Sequence, residues 1–222
     1  MKWGNIWSLT AGNTNLAVIK TIAQRWWLSV CMLPFIGYSL HQAYWTLRYN
    51  IFFSYHYDFP FPMNIVNLFV QNFHLIVHEA GHTFSSFFGF RTFTILGGSL
   101  YEITLPAIIT GYLAYNRYLR GTQFGLYLLG TAWMSVAFYA ADGAQRQLPL
   151  IGGLGDSAHD WGNLLTKWGL LQYDGHIGTA FALVGTLCFL AAVTAPVWFK
   201  RDVDDYADED DSELTRELDG LL

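Results

Sequence analysis

The residues best suited to chemistry are two histidines and a glutamate in the segment His78-Glu79-Ala-Gly-His82. In a helix, side chains four residues apart lie on one face, one turn apart, so His78 and His82 can hold a zinc ion between their imidazoles. A bound zinc lowers the pKa of a water molecule to about 7, and the neighbouring Glu79 can accept the proton of that water. The spacing therefore predicts a zinc site with a general base, an arrangement that makes hydroxide available at neutral pH.

The same segment lies inside a long apolar stretch, Met63–Phe88, which has the length of a membrane-spanning helix. Ionisable groups in such a helix are costly in lipid and usually mark a functional site, although a polar contact between two helices is the simpler alternative. His74 extends the row of histidines by one further turn. It packs in the helix interface, holds a ligand in place or binds the metal itself, and the first two are the commoner roles of a lone extra histidine.

The composition of the chain indicates a membrane protein. Of its 222 residues, 53% are hydrophobic and 13% are charged, whereas soluble domains carry about 25% charged residues. Residues 1–198 hold 9 basic and 7 acidic residues, so no nucleic-acid-binding surface is expected. Four runs without Asp, Glu, Lys or Arg are long enough to span a bilayer, which takes about 20 residues. These runs are Trp26–Leu47, Phe59–His78, Gly121–Ala141 and Gly175–Phe199.

A fifth run, Ile103–Asn116, has 14 residues and becomes long enough when Leu96–Glu102 is added. Together the runs predict an all-α integral membrane protein with about five to six transmembrane helices. Between the second and third spans, Gly89–Ser99 alternates β-forming residues, and we expect a short strand or re-entrant hairpin there. Residues 26–198 form the membrane domain, residues 1–25 are expected at the membrane interface, and the acidic residues 199–222 are expected to form a disordered tail. The expected helices are Trp26–Trp45, Met63–Phe88, Leu100–Tyr115, Gly121–Ala141, the short His159–Leu171 and His176–Trp198. The identity of the membrane, the sidedness of the tail and the oligomeric state stay open.

The HExxH segment and its surroundings resemble a known family. His78–His82 in a spanning helix, followed by Phe88–Arg91 and then Gly97-Gly98-Ser99, looks like the site-2 family of intramembrane zinc metalloproteases, over about residues 63–175. The resemblance implies a zinc cofactor, a small β element after the HExxH helix, and an aspartate from a later span as third zinc ligand. It also implies a transmembrane or juxtamembrane protein as substrate, which the Gly89–Ser99 segment would bind by strand addition.

The third zinc ligand has three candidates. The Leu-Asp-Gly string of the family occurs only at Leu218–Gly220 in the acidic tail, where it cannot serve the membrane site. Asp160 is favoured, because it opens a helix after a glycine-rich loop and follows His159, which can support the site or bind the metal. Asp142 ends the fourth long span and is the first alternative. Glu102, 20 residues after His82, is the second.

Two functions are compatible with these observations. The first is a zinc metalloendopeptidase that cuts peptide bonds in or near the bilayer. The second is a metal-binding membrane protein without catalytic activity that binds partner proteins, which the departure from the family's aspartate string favours. A lipid hydroxylase or desaturase is not expected, because two iron ions require several histidine clusters and this chain has a single group.

Overall fold

A computed structural model describes residues 6–51, 60–150 and 155–199 of the chain. The expected acidic tail, apart from its first residue, lies outside the described residues, and so do residues 1–5. The described part contains six α-helices joined by turns and two short 3₁₀ segments, with no strand. The helices are α1 (Ile6–Tyr49), α2 (Met63–Ser86), α3 (Arg91–Tyr115), α4 (Leu119–Ala141), α5 (Asp160–Trp168) and α6 (Asp174–Trp198).

The all-α architecture predicted from the sequence is confirmed. The predicted second, fourth and fifth spans coincide with α2, α4 and α6 to within two residues at each end. The first helix is longer than the predicted span, since α1 runs without a break from Ile6 to Tyr49 and includes residues expected at the interface.

The short β element expected over Gly89–Ser99 is wrong. Gly89 takes a φ of +73° in the turn after α2, and α3 begins at Arg91 and runs through the predicted strand. A lone strand in a membrane leaves its N–H and C=O groups unpaired, whereas a helix pairs them within itself. The segment therefore offers no strand edge to which a substrate could add.

Helix α4 lies at the centre of the fold, in contact with α6, α3 and α1, while α2 packs mainly against α3. Small residues let the central helices approach closely. A Cβ on Gly185 would lie 3.0 Å from the Gly130 carbonyl oxygen, and one on Gly178 would lie 2.7 Å from the Ala137 carbonyl oxygen. The main apolar cluster of the bundle is formed by α1, α4 and α6, with Val70 contributed by α2.

Three of the described helical segments are long and apolar enough to cross a membrane: Arg91–Tyr115, Leu119–Ala141 and Leu171–Trp198. Helix α5 has 9 residues and is therefore about 14 Å long, too short for a hydrocarbon core of about 30 Å. It connects two of the long helices and positions the residues at its own first turn.

Candidate metal centre

His78 and His82 lie on one face of α2, as their spacing predicts. Their ring centroids are 4.8 Å apart. His78 is buried, His82 is partly buried and Glu79 between them is exposed. One ligand atom from each of the three residues lies within 4.8 Å of the others, so the group could hold a metal ion.

Asp160 approaches both imidazoles from the first turn of α5. Its Oδ2 atom lies 3.3 Å from His78 Nε2 and 3.1 Å from His82 Nε2. Burial raises the pKa of the Asp160 carboxyl, but hydrogen bonds from the two imidazoles in their protonated form outweigh burial and lower the pKa to about 2. A metal ion held by the two Nε2 atoms would supply positive charge in place of those Nε2 protons. Asp160 is therefore ionised at neutral pH, which is the form in which a carboxylate binds a metal.

Tyr139 of α4 holds Asp160 in this position. The Asp160 N–H donates to the Tyr139 hydroxyl at 3.0 Å, and the hydroxyl donates to Asp160 Oδ2 at 3.4 Å. The Tyr139 ring also lies 5.9 Å from the His78 ring, centroid to centroid. Sequence reasoning missed this tyrosine, because one tyrosine among many near the end of a span has no distinguishing pattern.

The outer nitrogens of both imidazoles are also bonded. His78 Nδ1 lies 2.9 Å from Glu102 Oε2, and His82 Nδ1 lies 2.8 Å from the Thr94 carbonyl oxygen. Carboxylate and carbonyl oxygens accept hydrogen bonds, so each Nδ1 carries the proton. In the neutral imidazole each Nε2 then keeps its lone pair for a metal, the arrangement that metal-binding histidines adopt.

Helix α3 comes close to the imidazoles because it carries glycines at the contact. A Cβ on Gly98 would lie 2.5 Å from His78 Nε2 and 2.6 Å from His82 Nε2. A Cβ on Gly97 would collide with Ser85 of α2. The Gly97-Gly98 pair therefore permits a close backbone approach beside the histidines.

The remaining predicted residues do not contact the two Nε2 atoms and have other partners. The Asp142 carboxylate bonds to His159 Nε2 at 3.2 Å, and both residues are fully buried. His74 Nε2 bonds to the Thr131 hydroxyl at 2.9 Å. Glu102 bonds to His78 through the outer nitrogen. The structure thus brings Asp160, rather than Asp142 or Glu102, to the two Nε2 atoms.

The geometry is compatible with a divalent metal ion, and zinc serves as the test case. Two imidazole nitrogens and one carboxylate oxygen are a donor set typical of catalytic zinc, and tetrahedral ligands at zinc–ligand distances of about 2.0–2.1 Å lie about 3.3 Å from one another. The separations of Asp160 Oδ2 from the two nitrogens, 3.3 Å and 3.1 Å, are close to this value, and they are also within the range of a hydrogen bond. A divalent cation would also offset the carboxylates of Glu79, Glu102 and Asp160 in apolar surroundings.

The fold and the site define a helical protein with three candidate membrane spans and a His-Glu-His group that could hold a metal ion. No family model, curated protein or solved structure matches the chain. The function is therefore inferred from the geometry of these residues.

Proposed function

We propose that the chain is a membrane-embedded zinc metallopeptidase similar to the site-2 family, with His78, His82 and Asp160 as zinc ligands and Glu79 as general base. The observation that carries this proposal is the position of Asp160 Oδ2 within 3.3 Å of both Nε2 atoms. These residues come from two helices far apart in the sequence, yet their ligand atoms meet beside the glutamate that the HExxH spacing requires.

A zinc ion held by these residues would supply a Lewis acid that polarises the scissile carbonyl and lowers the pKa of a water molecule. Glu79 is exposed beside His78 and, in this proposal, would accept a proton from that water and pass it to the leaving amine nitrogen. Glu102 and the Thr94 carbonyl hold the outer nitrogens of His78 and His82. Both Nε2 lone pairs therefore stay directed toward one point.

The expected substrate is a transmembrane or juxtamembrane segment of another protein in the lipid bilayer. The supporting observation is that α2 packs against α3, which is apolar and long enough to cross a membrane. A helical substrate must unwind locally before cleavage, since its backbone carbonyls are already hydrogen-bonded. In this proposal α1 and α2 also cross the bilayer, which gives five spans in all.

Replacement of the general base tests the proposal. We expect Glu79→Gln to bind about one zinc per chain, as the wild type does, and to lose peptide-bond cleavage by about 100-fold or more. Metal content is measured by elemental mass spectrometry on the full chain purified in detergent. Cleavage is measured in liposomes that contain the chain and total membrane proteins of the expression host, by labelling and identifying new N-termini.

His78→Ala is the control, because it should lose both zinc and cleavage. If the wild type and Glu79→Gln generate new N-termini at equal rates, Glu79 is not the general base and the proposed mechanism is wrong. Zinc in the wild type without any difference in N-termini between the two proteins would favour the alternative, a metal-binding membrane protein that binds partners without cutting them.

A further inference from the structure

Asp142 and His159 form a fully buried pair next to the proposed zinc ligand. Asp142 is the residue directly after α4, and His159 is the residue directly before Asp160 at the start of α5. The side chains of both residues are 1% exposed or less. Such a pair in an apolar interior is costly unless each polar atom is bonded, so the bonds of both residues define what the pair does.

The bonds of His159 assign its proton. The Gly162 N–H donates to His159 Nδ1 at 3.0 Å, so this nitrogen carries no proton. His159 Nε2 therefore carries the proton and donates to Asp142 Oδ2 at 3.2 Å. Both ring nitrogens are engaged, one as the cap of α5 and the other in the pair, and neither is available to a metal.

The bonds of Asp142 attach it to the turn that follows α4. Its Oδ1 accepts the Gln147 N–H and its Oδ2 accepts the Leu148 N–H, each at 2.8 Å. The start of α5 also packs tightly against this turn, because a Cβ on Gly162 would lie 2.8 Å from the Gly143 carbonyl oxygen. The first turn of α5 consequently has little freedom to move relative to the end of α4.

We infer that the Asp142–His159 pair positions Asp160. The pair thereby sets the zinc affinity of the site without contacting the zinc ion itself. His159 and Asp160 are consecutive, so a bond that fixes the first also fixes the backbone from which the Asp160 carboxylate reaches His78 and His82. This inference rests on the proposed function, because it takes Asp160 to be a zinc ligand. It gives Asp142 a role distinct from that of a ligand.

Asp142→Asn tests the inference on the full chain purified in detergent. The asparagine keeps the size of the side chain and loses the charge that accepts three hydrogen bonds. We expect the zinc affinity, measured by competition with a chromogenic chelator, to fall about 10- to 100-fold. We also expect the Co²⁺-substituted site to show an altered visible absorption spectrum. His159→Asn, which keeps a cap for α5 and breaks the contact with Asp142, should cause the same loss.

Asp174→Asn is the matched control. Asp174 accepts the Ala144 N–H at 2.9 Å and so braces the same turn after α4, but in the described part of the chain it has no hydrogen bond to His159 or Asp160. We expect this variant to keep the zinc affinity and the Co²⁺ spectrum of the wild type. An equal loss of affinity in Asp174→Asn and Asp142→Asn would overturn the inference, because any weakening of the turn would then suffice.

A double variant distinguishes a positioning role of Asp142 from an independent effect on zinc affinity and from direct zinc ligation. If Asp142 acts through Asp160, then Asp142→Asn adds no further loss of zinc affinity to Asp160→Asn, whereas independent effects multiply. Multiplied losses, or an unchanged affinity in Asp142→Asn, would overturn the inference and leave the proposed function intact. Loss of zinc from Asp142→Asn but not from Asp160→Asn would make Asp142 the ligand. Absence of zinc from the wild type would instead overturn the proposed function itself.

Discussion

The backbone of α3 passes directly against the two imidazoles of α2, and this approach depends on a glycine. A Cβ at position 98 would lie 2.5 Å from His78 Nε2 and 2.6 Å from His82 Nε2, which is well inside the optimal contact distance of about 3.5–4.0 Å. Gly98→Ala must therefore displace the imidazoles from Asp160. We expect the zinc affinity of this variant, measured by chelator competition, to fall about 100-fold.

Gly111→Ala is the matched control for this variant, because Gly111 lies on the same helix with open space at its Cβ position. Alanine forms helices better than glycine, so we expect wild-type zinc affinity and no loss of stability. Equal zinc affinity in Gly98→Ala and Gly111→Ala would mean that zinc binds away from His78 and His82.

Glu102 supports a second residue-scale prediction, because its carboxylate accepts from His78 Nδ1 at 2.9 Å. Within the described residues, its other oxygen, Oε1, is buried without a hydrogen-bond partner. We expect Glu102→Gln to keep zinc with about 10-fold lower affinity, since the amide oxygen still accepts the bond but lacks the charge. Dialysis followed by elemental mass spectrometry measures the retained metal. Complete loss of zinc would instead make Glu102 a direct ligand.

The sequence predicted part of this site because helical spacing is local. His78, Glu79 and His82 lie within two turns of one helix, so their common position required no knowledge of the fold. The preference for Asp160 over Asp142 was harder to justify, because both follow α4 and their positions depend on how α5 packs. Tyr139 could not be predicted, since its contact with Asp160 exists only after that packing.

At the scale of helices, the contact between α2 and α3 depends on small residues. A Cβ on Gly97 would collide with the Ser85 side chain and lie 2.7 Å from the Gly81 carbonyl oxygen. We expect Gly97→Ala to lower the free energy of unfolding by about 1–3 kcal/mol, the usual cost of overpacking. Unfolding in detergent, followed by circular dichroism, measures the change.

The same Gly111→Ala variant is the reference for this measurement, because it adds the same methyl group to α3 in open space. Equal unfolding temperatures for the two variants would contradict this prediction, because they would show that a methyl group at position 97 lowers the free energy of unfolding no more than one at position 111. The effects of the two adjacent glycines are thus expected to differ in kind, with Gly97 controlling stability and Gly98 controlling metal affinity.

The positions of the long helices were predictable because runs of apolar residues report them directly. The start of α3 was not predictable, because the alternating residues after Gly89 have a strand-like pattern over one short segment. The pattern describes side chains alone, whereas the pairing of backbone groups decides the structure in a membrane. Arg91–Ser99 is helical for this reason.

For the whole molecule, the arrangement of α3 and α4 predicts a sidedness. Both are candidate spans and are joined by a short turn at Asn116. Thr92 at the start of α3 contacts Lys167 at the end of α5, so these two ends lie together. We therefore expect Arg91→Cys and Gln172→Cys to react with an impermeant maleimide from one side of sealed vesicles, and Asn116→Cys to react from the other.

The labelling requires a background in which Cys31 and Cys188 are replaced by serine, since these are the chain's cysteines. That background should show no labelling from either side and the zinc affinity of the wild type. Reaction of Asn116→Cys and Arg91→Cys from the same side would show that α3 does not cross the bilayer.

The distance between the proposed ligands along the chain also determines when, during synthesis, the site can form. His78 and Asp160 are 82 positions apart. Because synthesis adds about 5–20 residues per second, His78 is synthesised roughly 4–16 s before Asp160. Throughout that interval the imidazoles have no carboxylate from α5 beside them. The proposed centre is therefore incomplete until α5 has been synthesised, so we expect the nascent chain to have no cleavage activity before that point.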